Sequence, residues 1–169
     1  MWKYRALVVN NSWGMFHPSW DFPAGHPGRY GDNPNHPFNI ITGTLAAAGA
    51  DILFAAGNCG GQCPDGRCQN VVTRTITGAN AHGSVLTLAG CDVNDERVGY
   101  SSQGPSIAGM PQNKPDITAY THFSGSEAFG VGSPDSGTST ACPVASGCVA
   151  ALRTKRQAKF HKPSKIFAA

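Results

Sequence analysis

The chain has 169 residues, enough for one domain with a buried core, and a formal net charge of +3. That charge is too small to imply a nucleic-acid partner by itself, and no stretch approaches the length of a membrane span. Charged residues make up only 14% and glycine reaches 21 residues, a balance that suits a buried parallel sheet with tight loops.

The first predicted element is a buried strand over residues 3–10, running into Asn11-Ser12-Trp13-Gly14. Met1-Trp2-Lys3-Tyr4-Arg5 is followed by too few apolar residues for a signal peptide and reads better as the start of this strand. A loop insertion follows over about residues 15–36, rich in Pro, Gly, Asn and aromatics, and it carries His17, His26 and His36. The spacing of Phe38, Ile41, Leu45 and Ala48 predicts a helix from Pro37 to Ala48, stopped by Gly49. Asp51-Ile-Leu-Phe-Ala-Ala56 is a short apolar run suited to a second buried strand, and it ends in Gly57-Asn58. Further strands are expected at 84–90 and 116–120, with a shorter one at Tyr100–Ser102. The last helix spans Thr138–Lys155, with Pro143 in its first turn, where a missing N–H costs little.

Six of the thirteen Lys/Arg residues lie from Arg153 onward with no acid among them, leaving residues 1–152 at net −3. This basic tail, residues 156–169, reads as a solvated helix end, a linker at His161-Lys162-Pro163 and the start of a helix capped by Ser164. A phosphate-binding arm is the minor alternative. Strand–helix–strand alternation implies an α/β fold, a mainly parallel sheet flanked by helices, with ligands at the carboxyl ends of the strands. Asn11–Gly14, Asn58 and Ser139 all fall at such ends or at a helix start.

Ser139 lies in Gly137-Thr-Ser-Thr-Ala-Cys-Pro143, where a glycine turn runs into a helix. There it meets unpaired N–H groups and the positive end of the helix dipole, a favourable place for a nucleophile whose attack creates negative charge. A serine at this position is equally a helix N-cap. Asn58 is likewise a turn residue after a strand when it stands alone.

Taken together, Gly137–Pro143, Ala55-Ala56-Gly57-Asn58 and Val8-Val9-Asn10-Asn11-Ser12-Trp13-Gly14 resemble the subtilisin-like serine peptidases. The likeness continues in the family's order through Ser84–Gly90, Tyr100-Ser101-Ser102-Gln103-Gly104 and Lys114-Pro115-Asp116-Ile117-Thr118-Ala119. It implies that Ser139 is the acylating nucleophile and that the Asn58 amide and the Ser139 backbone N–H form the oxyanion hole. It also implies that Ser12, Trp13 and Gly14 pair with an extended polypeptide substrate, and that Ala55, Ala56 and Gly57 wall the opposite side of the specificity pocket. Trp13 stands where the family often has an aliphatic residue, and it also reads as core.

The family's catalytic order is Asp, His, Ser, and neither the Asp-Thr-Gly-like nor the His-Gly-Thr-like segment is found in the sequence. Residues 1–155 thus read as the C-terminal part of a catalytic domain, a partial subtilisin-like fold lacking the N-terminal half. The expectation is a serine endopeptidase acting through an acyl-enzyme, inactive alone; the alternative is a non-catalytic remnant that binds peptides or a partner. A missing half would leave a sheet edge and a helix flank unpaired, with exposed apolar surface. No cofactor is required by this chemistry. Asp92 lies near where some relatives bind a stabilising calcium, although a lone Asp after a strand is commonly a turn cap. Full-length relatives are commonly secreted, which leaves the localisation of this chain open.

In an exported enzyme a disulfide would staple the loop after Asn58, which holds Cys59, Cys63 and Cys68; Cys63–Cys68 is the preferred pair. Zinc held by these cysteines and His82 is a weaker option, because the paired Cys-x-x-Cys knuckles are absent. Cys91, Cys142 and Cys148 read as buried small hydrophobes.

Overall fold

A computed structural model describes residues 7–155, so the basic tail and the first residues of the opening strand lie outside the described residues. Four strands form one sheet in the order β1 (Val8–Asn11), β2 (Asp51–Ala55), β3 (Leu86–Cys91) and β4 (Ile117–Tyr120), every pair parallel. The register sets Val9 beside Ile52, Leu53 beside Leu86, and Leu88 beside Ile117. Two helices cover the sheet, α1 (Pro37–Ala47) and α2 (Thr138–Lys155).

Alternation along the strands divides the core between the two faces. Leu53, Ala55, Leu86 and Leu88 pack with Cys142, Ala145 and Val149 of α2 on one face. Ile52, Phe54 and Val85 pack with Ala46 near the end of α1 and with Ala79 on the other. Small residues on α2 let it lie close to all four strands. Its far end is tied down where Arg153 pairs with the fully buried Asp51 at the start of β2 and also donates to Gly49 O. At the other sheet edge the buried Lys114 donates to Val85 O at 2.7 Å and to Asp116 at 2.6 Å, and burial holds its pKa below the ordinary lysine value.

Two expectations about elements are corrected. Tyr100–Ser102 is not a strand: Ser101 N donates to Val98 O in a turn, and Ser102 N reaches Gly57 O. Its two serine hydroxyls instead accept from Gly90 N and Cys59 N, so the segment is a buried strut between β3 and the loop after β2. Helix α1 turns a different face inward than its spacing suggests. Asn39, Thr42 and Ala46 are buried, whereas Ile40, Ile41 and Leu45 are 52%, 54% and 42% exposed. The rotation follows from Asn39, whose Nδ2 donates to Tyr30 O at 3.2 Å and Asn33 O at 2.8 Å, pinning the polar side of the helix to the preceding loop. His36 caps the first turn by accepting from Phe38 N. The apolar surface expected on a helix flank is therefore present, and among the described residues β1 pairs with β2 alone.

The loop insertion is ordered by its own bonds. Asp21 accepts from Tyr30 N at 2.8 Å and Gly31 N at 2.7 Å, closing the segment into a compact turn. Tyr30 then reaches across to the core, where its hydroxyl oxygen accepts from Ala79 N at 2.8 Å. Among the described residues no helix is long and apolar enough to cross a membrane.

Candidate active site

Ser12, Asn58 and Ser139 come from three different element ends and meet at one edge of the sheet. Ser12 follows β1, and its Oγ donates to Ser139 O at 2.7 Å, while Ser139 Oγ donates back to Ser12 O at 3.1 Å. This reciprocal pair fastens the start of α2 to the end of β1. Asn58 follows β2. Its Oδ1 accepts from Thr138 N at 2.9 Å and from Thr138 Oγ1 at 3.0 Å, and Thr138 Oγ1 in turn accepts from Gly57 N at 3.0 Å.

Those bonds decide which way the Asn58 amide faces. A backbone N–H can only donate, so the atom beside Thr138 N is the oxygen and the other is Nδ2. The Nδ2 donor lies against Gly137, where an added Cβ would come within 3.2 Å of it. Gly137 also has φ +92°, in the left-handed region, so both the approach and the backbone call for glycine. Tyr100 holds the turn from behind by accepting from Gly137 N at 2.8 Å.

The cleft beside Ser139 encloses ≈ 330 Å³ of space, part of it open to solvent, and is lined by Trp13, Gly14, Ala55, Ala56, Gly57, Asn58, Thr138 and Ser139, together with Met15, Phe16, Cys59 and Asn80. Every residue singled out in sequence for the nucleophile, oxyanion and pocket walls thus borders this cleft, with Ser12 bonded to its rim. Trp13 serves both readings of it. It is 48% exposed at the cleft and packs edge-on against Phe54 and tilted against Phe38.

Among the described residues, the hydroxyl of Ser139 bonds to Ser12 O and to no histidine or carboxylate. Each described histidine has a structural setting. His17 and His36 cap helical turns, and His26 stacks on Phe22 with ring centroids 4.2 Å apart. His82 accepts from Ser84 N, and His122 lies 5.6 Å from the Tyr100 ring. Cys142, one turn after Ser139, is buried, and that burial pushes its thiol pKa up to about 12, so it stays protonated and unreactive.

The cysteine loop differs from the expected pairing. The disulfide joins Cys59 to Cys68, with Cα atoms 5.6 Å apart, and Cys63 is a free, exposed thiol at the loop tip. The reason is the turn at Gly66–Cys68, capped by Asp65, whose N–H returns to Asn58 O at 2.9 Å and brings Cys68 back to the loop base. With two of its three thiolates joined, this loop cannot supply the proposed zinc ligands. Of the remaining cysteines, Cys91 and Cys142 are buried but Cys148 is exposed on α2, correcting that expectation. Asp92 acts as a turn cap: its Oδ1 accepts from Asn94 N and Glu96 N, which hold its carboxyl below the usual range. Among the described residues no group of three or more His, Cys, Asp or Glu side chains is arranged to hold a metal.

Three residues of the site carried no signal of their own in the sequence. Thr138 stood inside the Gly-Thr-Ser motif without an assigned task, Tyr100 read as part of a strand, and Asn80 had no periodic pattern around it. Their contribution depends on bonds spanning 25 to 81 positions.

Comparison with known proteins agrees with this geometry. A family model described as the subtilase family matches residues 3–166. A search of curated proteins returned no match. Among solved structures, the prenylagaramide maturation protease PagA is 21% identical with a TM-score of 0.63, over 96% of this chain and 50% of that one. Sphericase is 20% identical with a TM-score of 0.60, over 82% and 44%. A cold-adapted subtilisin-like serine proteinase is 22% identical with a TM-score of 0.51, over 75% and 39%. At such identities the likeness is one of fold, and the chain spans about half the length of these structures or less. The four-stranded parallel sheet with its flanking helices is the corresponding part of a subtilisin-like α/β fold. With the family model matching nearly its whole length, the chain belongs to the subtilase family.

Proposed function

We propose that the chain carries the nucleophile and oxyanion half of a serine endopeptidase acting on polypeptides. The observation that carries this reading is the Asn58 amide, whose oxygen is held by Thr138 at the wall of the cleft that Ser139 also lines, which leaves the NH2 group as the donor assigned to the oxyanion. In the proposed reaction an extended peptide lies between Ser12–Gly14 and Ala55–Gly57. Ser139 Oγ attacks the scissile carbonyl, forming a C–O bond, and the developing oxyanion accepts from Asn58 Nδ2 and Ser139 N–H. A general base takes the hydroxyl proton and returns it to the leaving amine as the C–N bond breaks. Water then cleaves the acyl ester by the same route and regenerates the serine.

The base is the part that this reading assigns elsewhere. Ser12 O, the resting partner of the hydroxyl, is a backbone carbonyl and no base. A complementary segment docking against the open edge of β1 and the exposed Ile40, Ile41 and Leu45 would bring an Asp and a His to Ser139 and cover that flank. One feature supports such docking: the edge of β1, unpaired among the described residues, with the apolar face of α1 near it. The second reading, a peptide-binding remnant, draws on the same resting bond from Ser139 to Ser12 O.

A fluorophosphonate probe separates these readings. The chain alone is expected to label at Ser139 slowly, and adding the N-terminal half of a subtilase domain is expected to accelerate both labelling and peptide hydrolysis. Rapid labelling of the chain alone would show that it contains its own base. No gain on adding the complementary half would favour the remnant. Sensitive controls are needed, since an oxyanion hole and a binding site without a triad retain about 10³–10⁴ over water, a figure known from subtilisin itself.

A further inference from the structure

The floor of the cleft holds an acceptor that no described residue uses. Asn80 sits on the short turn Gly78–Ala81 and is 4% exposed. Its Nδ2 donates to Trp13 O at 2.9 Å and to Ala55 O at 2.8 Å, one carbonyl from each wall of the cleft. Because both partners are carbonyls, the nitrogen and oxygen of this amide cannot be exchanged, and Oδ1 is fixed as an acceptor. Four buried side-chain polar atoms lack a hydrogen-bond partner among the described residues, and Asn80 Oδ1 is the one whose residue lines this cleft. Gly14 faces it: an added Cβ there would come within 2.9 Å of Nδ2 and 3.3 Å of Oδ1.

Resting on the peptidase reading above, we propose that Asn80 determines specificity by accepting a hydrogen bond from the substrate side chain seated in the cleft. The side chain it selects has an apolar body and a neutral donor at its tip, and tyrosine meets both conditions. The apolar body is matched by Trp13, Met15, Phe16, Ala55 and Ala56. No ionisable side chain lines the cleft, so lysine or arginine would be desolvated against a single neutral dipole. An ionised Asp or Glu would set acceptor against acceptor. Leucine or phenylalanine would fill the space and leave Oδ1 unpaired, the situation in which a polar site rejects an otherwise well-shaped analogue.

The test titrates the full chain with three short peptide amides, identical except for a C-terminal tyrosine, phenylalanine or O-methyltyrosine. Binding is followed by NMR at the Asn80 side-chain NH2 and the Gly14 N–H. The tyrosine peptide is expected to bind about tenfold more tightly than the other two, because only it combines the ring with a donor. Asn80→Leu is expected to level the three, with its fold checked by circular dichroism. Should that variant not fold, the ratios for the unaltered chain still decide the matter. Equal affinity for tyrosine and phenylalanine, or for tyrosine and O-methyltyrosine, overturns the role of Asn80 and leaves the peptidase reading standing. Failure of all three peptides to bind overturns both.

Discussion

The turn at Ser139 and the flank formed by β1 and α1 belong to one small sheet, yet they are finished to different degrees. Around Ser139 the polar groups that shape the turn have partners: Thr138 bonds to Asn58, Gly57 N to Thr138, Gly137 N to Tyr100, and Ser12 exchanges bonds with Ser139. Along the flank, Ile40, Ile41 and Leu45 are exposed, and β1 has one edge unpaired among the described residues. On the proposed reading, the contrast separates oxyanion stabilisation, assigned to these residues, from proton transfer, assigned to a complementary segment. Stabilising an oxyanion needs donors fixed in place, which local bonds can achieve. Moving a proton needs a titratable group, and that is what the proposed complementary segment would add.

The sharpest way to break the comparison is at Asn58. Asn58→Ala in the reconstituted protein is expected to lower kcat by about 10²–10³ with little change in KM, the magnitude known for the oxyanion-hole amide of subtilisin. Steady-state hydrolysis of a peptide substrate reads it, and an unchanged kcat would mean that Asn58 is only a turn residue. The flank comes next. Ile41→Asp and Leu45→Asp are expected to change the chain's own unfolding free energy by less than about 1 kcal/mol, since both side chains are largely exposed. The same changes should weaken association with the complementary half by roughly tenfold or more, because a buried charge would face an apolar surface. Urea unfolding and a binding titration separate the two effects, and unaltered association would place the docking surface elsewhere.

The smallest expected effect is a pH dependence at the inner side of that flank. His82 is half-buried, and its ring lies 3.2 Å or less from where a Cβ on Gly43 of α1 would stand. Burial first, then the Lys114 charge, holds its pKa below the ordinary histidine value. The folded chain therefore binds this proton more weakly than the unfolded chain does. The stability contributed by His82 is complete above about pH 6.5 and is lost progressively as pH falls from there toward the folded pKa. Protonation also removes the acceptor that Nδ1 offers to Ser84 N. Thermal unfolding at pH 7.5 and 5.5 should show a larger fall for the unaltered chain than for His82→Gln; equal falls would exclude His82 as the cause.

The strands and the last helix were legible because their signals are local. Asp51–Ala55 and Leu86–Cys91 are mainly apolar or small, as strands buried on both faces must be, and Gly137 marks the start of α2. Pro143, however, lies inside that helix as its sixth residue and not in the first turn expected for it. The motifs around Ser139 and Asn58 were legible for the same reason. The facing of α1 was not, because Ile40, Ile41 and Leu45 compete as an apolar stripe with Ala46, and the choice is made by Asn39 bonding to a loop. Three cysteines within ten residues led the sequence reading to prefer Cys63–Cys68, whereas the bridge joins Cys59 to Cys68. The pairing follows from the turn at Asp65, which returns the chain to Asn58 and leaves Cys63 outside. Asn80 was invisible because its importance lies in carbonyls 67 and 25 positions away.

The Cys59–Cys68 bridge begins one residue after Asn58, and this position has an evolutionary consequence. The bridge, the Asp65–Asn58 bond and the buried Gly60, whose N–H donates to Tyr100 O at 2.7 Å, close the base of the loop, so the exposed residues 61–64 can vary in length and composition without disturbing the ends that hold the amide in register. The entropic penalty of lengthening such a loop rises only with the logarithm of its length. The segment is therefore a replaceable module mounted on a fixed base, where a lineage can try new surface beside the cleft while the Asn58 amide stays in place.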